Sequence, residues 1–417
     1  MTTARQAGAF PVEHRTLFLV QTKPYPLSGG VSLRNWQNIN LLAQQGSVAI
    51  FSLDKGCADL ASLPLAVIWE HYDLSKSSRP IEEKIQRRLW RLRSTGHART
   101  DWLYTREAAN RLRQLISGYN PTLIIVEEIW LYRYLPILQQ VGCPLILDNH
   151  NVEGDDSRYQ GVDSMTPQTL TKVQQIEQSF IQAVDQVWMC SQEDVRRLYQ
   201  LYPDIKTTAY AIPNGVNPDY YETVHSKTLT ATPSKTIGKN TNNLIYLGRF
   251  SYQPNAEAAS ILLHQIYPSL KELDSNCQLL LVGCDPTEEM LIAAQADPHI
   301  IVTGQVEDVR PYLAAAAVMV VPLQKGSGTR LKLLEAFAAK CPVISTPKGA
   351  EGLDVEDGKH LLLRESPAAM VQAILRLWQQ PQAAHTLSEH AYKRFLEQYS
   401  WSAVGQQICN ALAQLAK

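Results

Sequence analysis

Residues 317–346 read AVMVVPLQKGSGTRLKLLEAFAAKCPVIST, and their pattern decides the fold. AVMVVP is a short apolar run of the buried-strand type, GSG is a turn, TRLKLLEAFAAK is built from good helix formers, and PVIST is a second apolar run. Strand, glycine loop, helix and strand make one βαβ unit of a parallel sheet. At the start of such a helix, free N–H groups and the helix dipole favour an anion, and glycines let it approach the main chain closely. Lys332 falls in the first turn and Glu335 three residues later on the same face, among Leu331, Leu333, Leu334, Ala336, Phe337, Ala338 and Ala339. A solvated ion pair and an anion site both fit that spacing, but so apolar a helix has little solvated face to offer. Leu331 stands where a dinucleotide fingerprint needs its third glycine, and the pattern G-x-x-x-x-G-K-[ST] does not occur.

The same alternation runs outward from this unit. TLFLVQ (16–21), VAIFSL (48–53), LAVIWE (65–70), TLIIVE (122–127), LILD (145–148) and VWMC (187–190) read as buried strands of one parallel α/β domain, residues 1–222. Residues 223–242 are rich in Thr, Ser, Lys, Asn and Gly and read as a linker. A second α/β domain, residues 243–398, follows with NLIYLG (243–248), CQLLLVG (277–283), HIIVTG (299–304), AVMVVP and PVIST. A terminal helix, 399–417, carries an apolar stripe at Val404, Ile408, Ala411, Leu412 and Leu415. Ligands of such sheets lie beyond the carboxyl ends of the strands, so chemistry is expected just after each run.

Composition excludes several classes. The 417 residues exceed what one core usually supports, and 45% apolar residues can fill two. Lys plus Arg number 39 against 40 Asp plus Glu, which gives no global attraction to nucleic acid. Cysteines 57, 143, 190, 277, 284, 341 and 409 show no metal-ligand or redox spacing, and a reducing, cytoplasmic setting fits them. MTTARQAGAFPVEHR has no apolar core of a signal peptide, and no window has the length and apolarity of a spanning helix.

GSGTRLKLLEAFAAKCPVISTPKGAEGLDVEDGKHLLL (326–363) resembles the nucleotide-sugar signature of the retaining glycosyltransferases of GT-B fold, the large family numbered four, or group 1. Further pieces stand in that family's order: YPLSGGVS (25–32), DNHNVE (148–153), CSQEDVRRL (190–198), IPNGVN (212–217), YLGRF (246–250) and LLVGCDP (280–286). The resemblance implies two Rossmann-like domains facing a deep cleft, a terminal helix that crosses back to the first, and a nucleoside diphosphate sugar as donor. It further implies that Arg249 and Lys332 grip the donor diphosphate, that Glu335 accepts from the ribose, and that His150 contacts the transferred sugar. Gly29, Gly30, Ser327, Gly328, Thr329 and Arg330 complete the implied donor-binding set. Asp148 and Glu153 flank His150, and the sequence does not choose between them as acceptor contacts. The family's usual first glutamate, eight positions before Glu335, is replaced by Ser327, so the identity of the sugar is not implied. No Asp-x-Asp triplet occurs, and neither a metal nor a cofactor is expected.

Residues 84–113 contain one Lys and eight Arg against Asp101 and Glu107, interleaved with Leu89, Trp90, Leu92, Trp102 and Leu103. This fits a peripheral seat on the anionic inner face of a cell membrane, and equally a solvated basic helix or a groove for an acidic substrate. The expected acceptor is a glycan or lipid-linked hydroxyl in cell-surface polysaccharide or glycolipid synthesis. A sugar-nucleotide epimerase on the same scaffold and a non-catalytic nucleotide-sugar-binding subunit are the alternatives.

Overall fold

The structure, a computed structural model, describes residues 14–27, 29–58, 67–77, 80–155, 165–225, 242–326 and 330–415. Two compact units divide them, one drawn from 14–155, 165–214 and 405–415, the other from 215–404.

The first unit holds a seven-stranded, wholly parallel sheet in the order β3-β2-β1-β4-β5-β6-β7. Its strands are β1 His14–Val20, β2 Gly46–Asp54, β3 Ile68–Asp73, β4 Leu123–Glu127, β5 Leu145–Asn149, β6 Gln186–Met189 and β7 Thr208–Ala211. Helices α1 Gly30–Ala43, α2 Ile81–Arg91, α3 Ala98–Leu103 and α4 Arg106–Tyr119 lie between them in sequence. Every residue of β4 and β5 is buried, as strands covered on both faces require. The half-buried edge strand β7, TAYA, has no apolar run to announce it.

The second unit repeats the plan with six parallel strands in the order β10-β9-β8-β11-β12-β13. These are β8 Leu244–Leu247, β9 Leu279–Val282, β10 Ile300–Val302, β11 Val318–Val321, β12 Val343–Ser345 and the two-residue β13 Leu362–Leu363. The helix Leu331–Ala338 crosses from β11 to β12 and buries Leu333, Leu334, Ala336, Phe337 and Ala338. Two glycines are fixed by packing: a Cβ on Gly283, at φ 142, would lie 1.9 Å from the Gly248 carbonyl oxygen, and one on Gly248 would lie 3.0 Å from Asn255.

The division between units falls at Asn214–Gly215, ahead of the Thr- and Ser-rich segment, because Tyr221 is buried in the second core and Val216 bridges to Ser400. Of that segment, residues 226–241 lie outside the described ones. The helix Trp401–Leu412 passes from the second unit into the first, where Gln186 Nε2 donates to the Ala411 carbonyl at 2.7 Å. No helix among the described residues is long and apolar enough to cross a membrane.

Candidate functional site

Each sheet reverses its winding at one place, between β1 and β4 in the first unit and between β8 and β11 in the second. Loops leaving the sheet in opposite directions open a crevice there, beyond the carboxyl ends of the strands. The residues singled out from sequence follow these strands or their neighbours: Gly29 and Gly30 after β1, His150 after β5, Arg249 after β8 and Lys332 after β11.

In the second unit, Lys332 and Glu335 are half-buried and not paired with one another. Lys332 Nζ donates to Tyr246 Oη at 2.9 Å and to Asn255 Oδ1 at 2.8 Å, and lies 4.0 Å from the centroid of the Tyr246 ring. All these partners are neutral. Burial pushes the ammonium down to about 7, helped by the Arg330 guanidinium and only partly opposed by Glu335. Glu335 accepts from Tyr221 Oη at 3.3 Å, and burial pushes its carboxyl up to about 7. A cation and an anion set three residues apart thus each face neutral groups at the switch point, which is costly unless a ligand supplies the counter-charges.

Asn255 organises this corner. Its Oδ1 also accepts from Tyr246 Oη at 2.8 Å, and its Nδ2 donates to the Arg249 carbonyl at 2.8 Å, tying the exposed Arg249 to Lys332 through one amide. Arg330 is buried, with Nη2 donating to the carbonyls of Gly326 at 2.9 Å and Lys348 at 3.1 Å and lying 3.9 Å from Glu351, so it ties Gly326 to Lys348. Ser327, Gly328 and Thr329 lie outside the described residues.

In the first unit, Gly29 caps α1 with extended backbone, and a Cβ built on it meets nothing within 4 Å. Neither conformation nor packing therefore calls for glycine at 29, and the open space beside it suits a group that comes close to the main chain. His150 is buried at the end of β5; its Nδ1 lies 3.2 Å from Glu128 Oε1, while its buried Nε2 has no hydrogen-bond partner. Burial works against a charge on the ring, but Glu128, with Asp148 and Glu127 behind it, outweighs burial and raises its pKa.

Glu128 sits at φ 57, a region that β-carbon-bearing residues avoid at a cost of roughly 1 kcal/mol or more, and Gln21 Nε2 and Arg99 also bond it. Beside it, Glu127 accepts from the main-chain N–H groups of Gln21 at 2.9 Å and Thr22 at 3.2 Å, and burial pushes it up to about 7. Asp148 is spent elsewhere: Arg34 Nε donates to it at 2.9 Å and Asn38 Nδ2 at 2.9 Å, and Arg34 in turn holds the Ile212 carbonyl at 2.6 Å. Glu153 is buried beside Glu177, whose Oε1 accepts its main-chain N–H at 2.9 Å.

Sequence reasoning missed Tyr221, Tyr246, Asn255, Glu127 and Glu128. Only the glutamates left a signal, two carboxylates directly after an apolar run.

Residues 241–380 match the family model described as Glycosyl transferases group 1. A Bacillus subtilis (strain 168) protein assigned as the teichuronic acid biosynthesis glycosyltransferase TuaC is 28% identical over 159 residues, 36% of this chain and 38% of that relative's length. The match thus spans well under two thirds of the relative. Among solved structures, sucrose-phosphate synthase from Thermosynechococcus elongatus superimposes with a TM-score of 0.70 at 18% identity, covering 96% of this chain and 99% of the other. Anabaena HepE, in complex with UDP and glucose, gives 0.67 at 14% identity, covering 96% and 100%. Residues 241–380 thus resemble the group 1 glycosyl transferases, and the two Rossmann-like units carry the GT-B fold.

Proposed function

We propose that the protein transfers a sugar from a nucleoside diphosphate sugar to a hydroxyl of a glycan, glycolipid or other acceptor, with retention, in the synthesis of a cell-surface polysaccharide or glycolipid. The observation that carries this reading is Lys332, a half-buried cation held by neutral acceptors beside a helix N-terminus at a sheet's switch point. In this reading Lys332 and Arg249 bind the diphosphate and take up the negative charge that grows on it as it leaves. Glu335 accepts from the ribose hydroxyls. His150 contacts the transferred sugar, with Nε2 as the free atom. The acceptor oxygen forms its bond to the anomeric carbon on the face from which the phosphate oxygen departs, and the departing diphosphate takes the acceptor's proton. Two side-chain cations supply what a divalent ion gives other transferases, so turnover is expected to persist in a chelator.

The solved HepE complex with UDP and glucose and TuaC's assignment to teichuronic acid biosynthesis support the donor class and the polymer setting respectively. The test is incubation with a panel of nucleoside diphosphate sugars, with and without glycan or lipid-linked acceptors, in EDTA. Acceptor-dependent release of nucleoside diphosphate together with a glycosylated product is expected. An epimerised donor with no diphosphate released would make the protein an epimerase. Binding without turnover of any donor would make it a non-catalytic subunit.

A further inference from the structure

The basic stretch 84–113 separates into two groups of residues. Arg87 donates to the Tyr104 carbonyl, Arg99 reaches Glu128 at 3.4 Å, Arg106 pairs with Glu82 at 2.9 Å, Arg111 with Glu107 at 2.9 Å, and Arg113 donates to Asn110 at 2.9 Å. Lys84, Arg88, Arg91 and Arg93 are exposed, and no bond joins their side chains to a described residue. All four lie on α2 or just past its end.

The helix presents its apolar side outward. Ile81 is 74% exposed, Ile85 54%, Leu89 57% and the capping Leu92 84%. At ~100° per residue these four positions fall within roughly 80° of arc, a continuous ridge. The opposite side does the packing: Glu83 accepts from the Arg106 main-chain N–H at 2.8 Å, and Trp90 stacks edge-on to Tyr104 at 5.2 Å with the Arg133 guanidinium 4.5 Å from its ring. Among the described residues nothing in the local packing uses the ridge, although an amphipathic helix ordinarily turns such a face to its core.

Unpaired cations beside an exposed apolar ridge fit one kind of partner. Acyl chains take the ridge while anionic headgroups take Lys84, Arg88 and Arg91 on one flank and Arg93 on the other. The one acidic side chain on the exposed half, Glu82, is already paired with Arg106. A protein groove could take the ridge, but four unpaired cations around it favour a surface dense in negative charge. We propose that α2 is a docking face for an anionic lipid surface, lying in the headgroup plane with Ile81, Ile85, Leu89 and Leu92 inserted. The proposal does not rest on the transferase reading, and a protein that turned over no donor would still be expected to bind.

The test is co-sedimentation of the full chain with vesicles of phosphatidylcholine alone and of phosphatidylcholine mixed with phosphatidylglycerol. Wild-type protein should pellet with the mixed vesicles only, and added salt should release it as the Debye length shortens. Changing Lys84, Arg88, Arg91 and Arg93 together to Gln should weaken partition by roughly fivefold per charge. The pair Ile85→Ser and Leu89→Ser, and separately Leu92→Ser, should weaken it about tenfold or more at unchanged charge. Because these side chains are exposed, circular dichroism and thermal unfolding should not change. A Leu89→Trp variant should shift its fluorescence to the blue on mixed vesicles. The proposal is overturned if wild type stays in the supernatant at low salt, or if the serine variants sediment as well as wild type. It is equally overturned if the ridge variants abolish self-association of a protein that ignores vesicles.

Discussion

If Lys332 and Glu335 hold a nucleoside diphosphate sugar, the donor's affinity must depend on pH with two limbs of opposite sign. In the free protein burial pushes Lys332 down from 10.5 to about 7 and Glu335 up from 4.5 to about 7. The bound state wants both charged, a cation against the diphosphate and a carboxylate against the ribose. Above pH 7, Lys332 is mostly neutral and binding must take up its proton, roughly nine tenths of one at pH 8. Below pH 7, Glu335 is mostly protonated and binding must release a proton, again roughly nine tenths at pH 6. At pH 7 the two cancel, as if a proton passed from the carboxyl to the amine. Affinity should peak there and fall roughly threefold one pH unit to either side. Calorimetry in buffers of different ionisation enthalpy reads both quantities, and an intact nucleotide sugar avoids the titration of a terminal phosphate. Lys332→Met should lose the alkaline limb and about 10²-fold in affinity, whereas Glu335→Gln should lose the acid limb and ~1–3 kcal/mol. A wild-type profile flat from about pH 6 to 8, or an alkaline limb surviving in Lys332→Met, would refute the reasoning.

Arg249→Ala should lower kcat by about 10²-fold while leaving thermal unfolding unchanged, and a near-normal rate would remove it from the diphosphate site. Glu128→Gln should lower kcat about tenfold or more with little change in donor affinity, and NMR should show the His150 imidazole titrating at lower pH, since Glu128 is what holds its charge. An unmoved titration would show that Glu128 only shapes the backbone. Asn255→Ala should weaken donor binding and also destabilise the fold, because three polar partners, Tyr246, Lys332 and the Arg249 carbonyl, lose their bond at once. If unfolding were unchanged, the triangle would not be the brace described here.

The strands were legible because a parallel sheet buries both faces, so that TLIIVE or LILD needs no polar residue until its carboxyl end. β7 and β13 were not, since TAYA at a half-buried edge leaves no apolar run and the pairing at Leu362–Leu363 is only two residues long. Lys332 and Glu335 stood out as charges that an apolar helix could not explain. Their immediate partners stayed hidden: Tyr246 reads as one more residue of a buried strand, and Asn255 as an ordinary helix-start residue.

Nonlocal geometry hid the rest. Asp148 lies two residues from His150 and looked as eligible for the site, yet Arg34, 114 positions earlier, consumes it. Glu127 and Glu128 follow an apolar run in plain view, but their nearness to His150 depends on β4 pairing with β5, and their place at the switch point on β1 lying beside β4. On α2 the pattern of Ile81, Ile85, Leu89 and Leu92 shows an amphipathic helix without saying which side faces in. The core took Trp90 and Arg87, whose partners Tyr104 and Arg133 come from two other segments. A helix with two usable faces is oriented by what its neighbours offer, and that choice left the aliphatic face outside.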